Sequence, residues 1–140
     1  MPRFVLLYHD CPAESERPSH WDLMLQQADA LATWELRQLP RAWSESLPDV
    51  QPVAGDTVLA TQLPDHRLAY LDYEGPVSGD RGKVHQVDGG TYQLLQQTND
   101  VWEIALAGAV LSGNATLQKD SPGSTNWRLT VPFSTPDSRP

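Results

Sequence analysis

Cysteine is almost missing from this 140-residue chain, with Cys11 standing alone. A single thiol excludes an internal disulfide and any zinc cluster built from several cysteines, and it suits a reducing cytoplasm. Basic residues are also scarce, ten Lys and Arg against 18 Asp and Glu, which leaves a formal net charge of −8. Affinity for a phosphate backbone comes largely from cations that release counterions, so this balance argues against a long, tight track along DNA. A small site that takes one phosphate at a strand end is compatible with it, because a metal and a few donors outweigh the global field locally. No apolar run reaches the length that crosses a bilayer, and Phe4 to Tyr8 is too short for the apolar region of a secretory signal. The expectation is a soluble cytoplasmic protein with no membrane partner.

What is present is globular in character: 39% hydrophobic residues and five tryptophans, enough for one real core. One domain over residues 1–133 is expected, with Ser134 to Pro140 an unstructured tail. Phe4 to His9 reads as a first strand, Trp21 to Gln26 as a second and Ala30 to Leu36 as a third, the last two joined by a turn at Gln27-Ala28-Asp29. Prolines 40, 48 and 52 with Gly55 make the next stretch mainly loop, with a helical turn at Ala42 to Ser46. Thr57 to Gln62 is a strand, whereas Pro64 to Tyr73 fits either a short helix or an extended segment. Further strands are expected at Lys83 to Val87, Thr91 to Gln96, Val101 to Ala107, Asn114 to Lys119 and Asn126 to Pro132, with Asp88-Gly89-Gly90 breaking the first two. Many short strands with regular turn signals indicate an antiparallel sandwich or barrel.

The chemistry concentrates in His20-Trp21-Asp22-Leu23-Met24-Leu25. On a strand His20 and Asp22 share one face while Trp21, Leu23 and Leu25 share the other, two ligand types opposite a hydrophobic anchor. By itself the pattern also describes a polar strand face. His9 closes the first strand and meets His20 if the two strands are neighbours. Two imidazoles and a carboxylate suit manganese, iron or zinc. His66 and Tyr70 share a side in either conformation, and an imidazole there is a candidate general acid or phosphate contact. Gly75 to Gly82 reads as a loop whose N–H groups and Arg81 face an anion, although it lacks the Lys-Ser/Thr of a P-loop. His85 beside Lys83 reads as an ordinary surface residue.

Five segments occur together in a recognisable order: Phe4 to Asp10, His20 to Leu25, Thr33-Trp34-Glu35-Leu36, Asp65 to Gly75 and Gly90-Thr91-Tyr92. In that order and approximate spacing the chain resembles the 3′-phosphoesterase domain of bacterial ligase D, as a stand-alone and divergent member. The resemblance implies a mainly β fold, a small antiparallel β-barrel with short helical segments. It implies an enzyme that trims 3′ ends of DNA in repair with a divalent metal, manganese by preference and zinc as an alternative. His9, His20 and Asp22 match the family's metal ligands, and His66 and Tyr70 its phosphate-contacting pair. The implied partners are a nucleic-acid 3′ end and end-joining repair proteins. Met24 and Val58 stand where the family carries arginines, so Arg81 is the expected replacement for the phosphate grip. Two other readings stay open: a non-catalytic module that binds a metal or a DNA end, and a non-haem iron oxygenase using His20, Asp22 and a distant His66 or His85.

Overall fold

The computed structural model describes residues 1–48, 50–51, 53, 55–77 and 81–133. The expected tail, Ser134 to Pro140, lies outside them. The chain forms β1 (Arg3–Asp10), β2 (His20–Gln27), β3 (Ala30–Leu36), α1 (Arg41–Ser46), β4 (Thr57–Arg67), a 3-10 turn (Leu68–Leu71), β5 (Gly75–Pro76), β6 (Lys83–Gln97), β7 (Val101–Gly108), β8 (Ser112–Lys119) and β9 (Asn126–Thr130). Strand order runs β1-β2-β3-β4-β9-β8-β7-β6, and β1 pairs again with β6, so eight antiparallel strands close into a barrel. The two-residue β5 adds only a short pairing to the start of β6.

Alternation sets the barrel wall. Phe4, Leu6, Leu23, Leu25, Ala32, Trp34 and Leu36 point inward and join residues from every other barrel strand in one buried cluster. Trp34 lies at its centre, packed edge-to-face on Trp102 and Trp127 at 5.3 and 5.5 Å between ring centroids; such pairs contribute about 0.5–1.5 kcal/mol beyond their buried area. The intervening residues Val5, Leu7, Met24 and Leu31 are buried as well, in a second cluster with Leu71 and Val84 on the outer wall. The first strand therefore reads as a continuous apolar run because both its faces are covered. The cover is the segment from Leu68 to Val77, tied back to β1 by the Arg3–Asp72 ion pair at 2.7 Å.

One expectation needs correction. Asp88-Gly89-Gly90 does not divide two strands, because β6 runs unbroken from Lys83 to Gln97 and changes partner along its length. Its first half pairs with β1 across a bulge between Leu6 and Leu7, and its second half pairs with β7. Gly90 permits a close approach, since a Cβ there would overlap the Ala107 carbonyl. Asp88 accepts from the Leu111 N–H at 2.7 Å and pins the β7–β8 turn. The ambiguous stretch from Pro64 divides: β4 continues to Arg67 and only Leu68–Leu71 is helical.

Candidate metal centre

The outer wall across β1, β2 and β3 carries the chemistry. His9 and His20 are direct partners in the β1–β2 register, and Asp22 faces Glu35 in the β2–β3 register. The two imidazoles meet edge-to-face with centroids 4.9 Å apart. His20 is fully buried, Asp22 is 4% exposed and His9 is 8% exposed. The face expected from the alternation thus exists, and it lies under the second apolar cluster rather than in open water.

Backbone carbonyls fix which ring nitrogens remain available, because a carbonyl only accepts. His20 Nδ1 lies 3.0 Å from the Pro18 carbonyl and therefore donates to it, leaving Nε2 with the lone pair of the neutral ring. His9 is arranged the other way round, with Nε2 donating to the Arg81 carbonyl at 2.7 Å. Orientation of a ligating imidazole by a backbone acceptor is the usual support of a metal site. His66 repeats the His20 pattern, its Nδ1 donating to the Pro64 carbonyl at 2.9 Å.

Among the described residues, His20 Nε2 and Asp22 Oδ1 are buried without a hydrogen-bond partner, and they stand 3.4 Å apart. A buried unsatisfied polar atom costs about 1–3 kcal/mol. A cation accepting both lone pairs removes that cost, so the donor set fits a divalent metal. Cys11 belongs to the same neighbourhood: its Sγ and one ring nitrogen each from His9 and His20 lie within 4.8 Å of one another. Burial pushes the Cys11 thiol above its ordinary pKa. For His20, burial opposes the charged form, but the Asp22 carboxylate and the Pro18 carbonyl outweigh it and leave the pKa raised.

Beside these donors lies a cleft of about 80 Å³ lined by His9, Arg17, Asp22, His66, Tyr70 and Arg81, with Met24 in its wall. His66 and Tyr70 pack edge-to-face, centroids 5.7 Å apart, one from the end of β4 and one from the 3-10 turn. The structure therefore gathers His9, Asp22, His66, Tyr70 and Arg81 around one cleft, with His20 beneath it. Gly82 makes the placement of Arg81 possible. Its φ is +93°, and a Cβ there would overlap the Asp10 carbonyl, so only glycine brings this backbone close enough for the Arg81 carbonyl to meet His9.

Three residues of this neighbourhood were not legible as site residues. Arg17 comes from the loop between β1 and β2 and binds Glu35, which Arg37 also holds at 2.6 Å. Burial alone would raise the Glu35 pKa, but the two arginines and His20 lower it below the ordinary carboxylate range. Glu35 Oε1 stands 3.9 Å from His20 Nε2. Cys11 is the third, and its signal was position, two residues beyond His9. Of the two positions at which the resemblance leads one to expect arginine, Met24 is buried in the outer cluster and Val58 in the barrel core.

A small closed β-barrel bearing histidine, cysteine and carboxylate donors on its outer wall, next to arginines, is the class that fold and site define. Residues 9–119 match the DNA Ligase D 3′-phosphoesterase domain, and the chain belongs to that family. Membership implies DNA-end processing in repair. No curated protein matches the chain. No helix among the described residues is long and apolar enough to cross a membrane.

Proposed function

We propose that this protein is a metal-dependent phosphoesterase that processes 3′ ends of nucleic acid during DNA repair, acting in the cytoplasm as one domain over residues 1–133. The observation that carries the reading is the pair of buried, unpartnered ligand atoms, His20 Nε2 and Asp22 Oδ1, beside a cleft that also presents His66, Tyr70, Arg17 and Arg81. His9, His20 and Asp22 would hold a divalent cation, manganese or zinc. Such an ion, when bound, polarises a phosphoryl oxygen and lowers the pKa of bound water.

The remaining work falls to the chain's own side chains. Arg17 and Arg81 supply positive charge where a terminal phosphate enters, and their position compensates locally for the acidic surface. Since the Nδ1 of His66 is committed to the Pro64 carbonyl, its Nε2 is the nitrogen that faces substrate, and only with the ring protonated does it donate to a phosphate oxygen or return a proton to the departing one. Tyr70, packed on that ring, orients it and offers its hydroxyl to the substrate. Met24, Leu63, Val77 and Val84 form the apolar wall, which limits water around the charges and strengthens each interaction. The partners that follow are a DNA 3′ end and the end-joining proteins that use the trimmed product.

The test is metal-stimulated release of phosphate from a 3′-phosphorylated primer. His20→Ala and Asp22→Ala are each expected to abolish it while leaving the far-ultraviolet circular dichroism of the barrel intact. Turnover unchanged in both variants would overturn the proposal. Metal binding by the wild type without hydrolysis of any 3′-ended substrate would assign the chain to the non-catalytic, end-binding alternative.

A further inference from the structure

We propose that Cys11 is itself a ligand of the metal, so that this chain holds its ion with a thiolate beside the two imidazoles and selects zinc over manganese. The inference rests on the reading above that His9 and His20 bind a metal, and it names the class of ion they take. Three observations support it. The Cys11 Sγ and one ring nitrogen from each histidine lie within 4.8 Å of one another, close enough for one ion to contact all three after small side-chain adjustments at metal–ligand distances of about 2.0–2.3 Å. His20 is fully buried and its Nε2 has no hydrogen-bond partner, so this donor set includes an imidazole with an unmet demand. The Cys11 backbone is fixed, its N–H donating to Ser19 Oγ at 2.9 Å, which holds the thiol beside the strand that carries His20.

The choice of metal follows from ligand softness. Manganese favours carboxylate, carbonyl and water oxygens, whereas a thiolate with imidazoles suits zinc and cobalt. On binding, the Cys11 S–H bond breaks, a sulfur–metal bond forms and the proton passes to solvent, with no change of oxidation state. Asp22, whose Oδ1 is also unpartnered, supplies an oxygen ligand or holds a metal-bound water.

The test uses the full-length, metal-free protein titrated with Co²⁺, whose bond to a thiolate gives a charge-transfer band in the near ultraviolet. The expected result is a band that saturates at one equivalent, is displaced by equimolar Zn²⁺ and is absent in Cys11→Ser. Calorimetric Zn²⁺ affinity should fall by roughly tenfold or more in Cys11→Ser, the scale on which a site responds to altered coordination, while Mn²⁺ affinity changes little. Co²⁺ binding to the wild type without the band, or an equal Zn²⁺ affinity in Cys11→Ser, would overturn the cysteine assignment and leave the phosphoesterase reading standing. An unchanged band and affinity in His20→Ala would overturn both, because the ion would then not lie between the strands.

Discussion

Glu35, directly opposite Asp22, lies diagonally from His20 across the β2–β3 pair, its Oε1 3.9 Å from the imidazole Nε2, and two arginines hold its carboxylate. A charge so placed tunes the imidazole without needing to touch substrate. Glu35→Gln keeps the shape but removes the charge and frees Arg17 and Arg37. Metal affinity is expected to fall by about tenfold, measured calorimetrically, while the far-ultraviolet spectrum stays that of the wild type. An affinity equal to the wild type would remove Glu35 from the metal's surroundings.

Met24 occupies the position two beyond Asp22, in the cleft wall and buried in the outer cluster. Met24→Arg places a guanidinium where the resemblance leads one to expect an arginine. A charge-assisted hydrogen bond contributes about 1.5–3 kcal/mol, so KM for a 3′-phosphorylated primer is expected to fall about tenfold. The long polar side chain also disturbs a packed cluster, and a stability loss of about 1–3 kcal/mol in chemical denaturation accompanies it. A lower stability with no change in KM would show that this wall does not reach the phosphate.

Gly82→Ala probes the support beneath Arg81. The added methyl overlaps the Asp10 carbonyl at a backbone φ of +93°, so the loop has to move away from β1 and the His9–Arg81 hydrogen bond is lost. A destabilisation of about 1–3 kcal/mol is expected, together with a raised KM and weakened metal binding. A variant with wild-type melting temperature and wild-type metal affinity would contradict this coupling.

Tyr92 supplies a pH signature remote from the cleft. Its hydroxyl donates to the Gln26 carbonyl at 2.7 Å, and burial raises its pKa above the ordinary phenol value. The unfolded chain releases this proton first, near pH 10, so the stabilisation is complete below that pH and is lost as pH rises through the folded value. Tyr92→Phe is expected to cost about 0.5–1.5 kcal/mol near neutrality and to flatten the alkaline limb of the stability profile. An alkaline limb of the same slope in the variant would assign it to other groups.

Removal of the metal should leave the barrel standing, because the inner cluster around Trp34 is separate from the ligands on the outer wall. A chelator is expected to abolish phosphate release and to lower the stability by the amount that linkage sets, about 2.7 kcal/mol at a free metal concentration of 100 times Kd, read as a drop in melting temperature. Loss of the folded far-ultraviolet spectrum on chelation would show instead that the ion is part of the fold.

Much of this arrangement is legible in the residues, and the part that is not has physical reasons. The alternation in His20 to Leu25 assigns both faces of β2 correctly, because a pleat leaves only two sides. The bounds expected for Ala30 to Leu36 are those of β3, since the short turn at Ala28-Asp29 leaves little freedom. The same turn puts Glu35 opposite Asp22, so its place near the site follows from register, although its two arginine partners come from a loop and a strand end that no periodicity marks. Asp88-Gly89-Gly90 misled because glycine marks both turns and close approaches. Only the neighbouring Ala107 carbonyl distinguishes them, and that contact is made by a strand later in the chain.

Closure of the barrel by β1 against β6 has a consequence for how the protein comes to life. This pairing joins residues as far apart in the chain as Arg3 and Thr91, and non-local pairings of this kind carry a loop-closure cost that hairpins do not. His9 reaches the Arg81 carbonyl only when that seam is sealed. A chain opened at this seam therefore keeps the His9–His20 pairing of the β1–β2 hairpin but loses the carbonyl that orients the His9 ring.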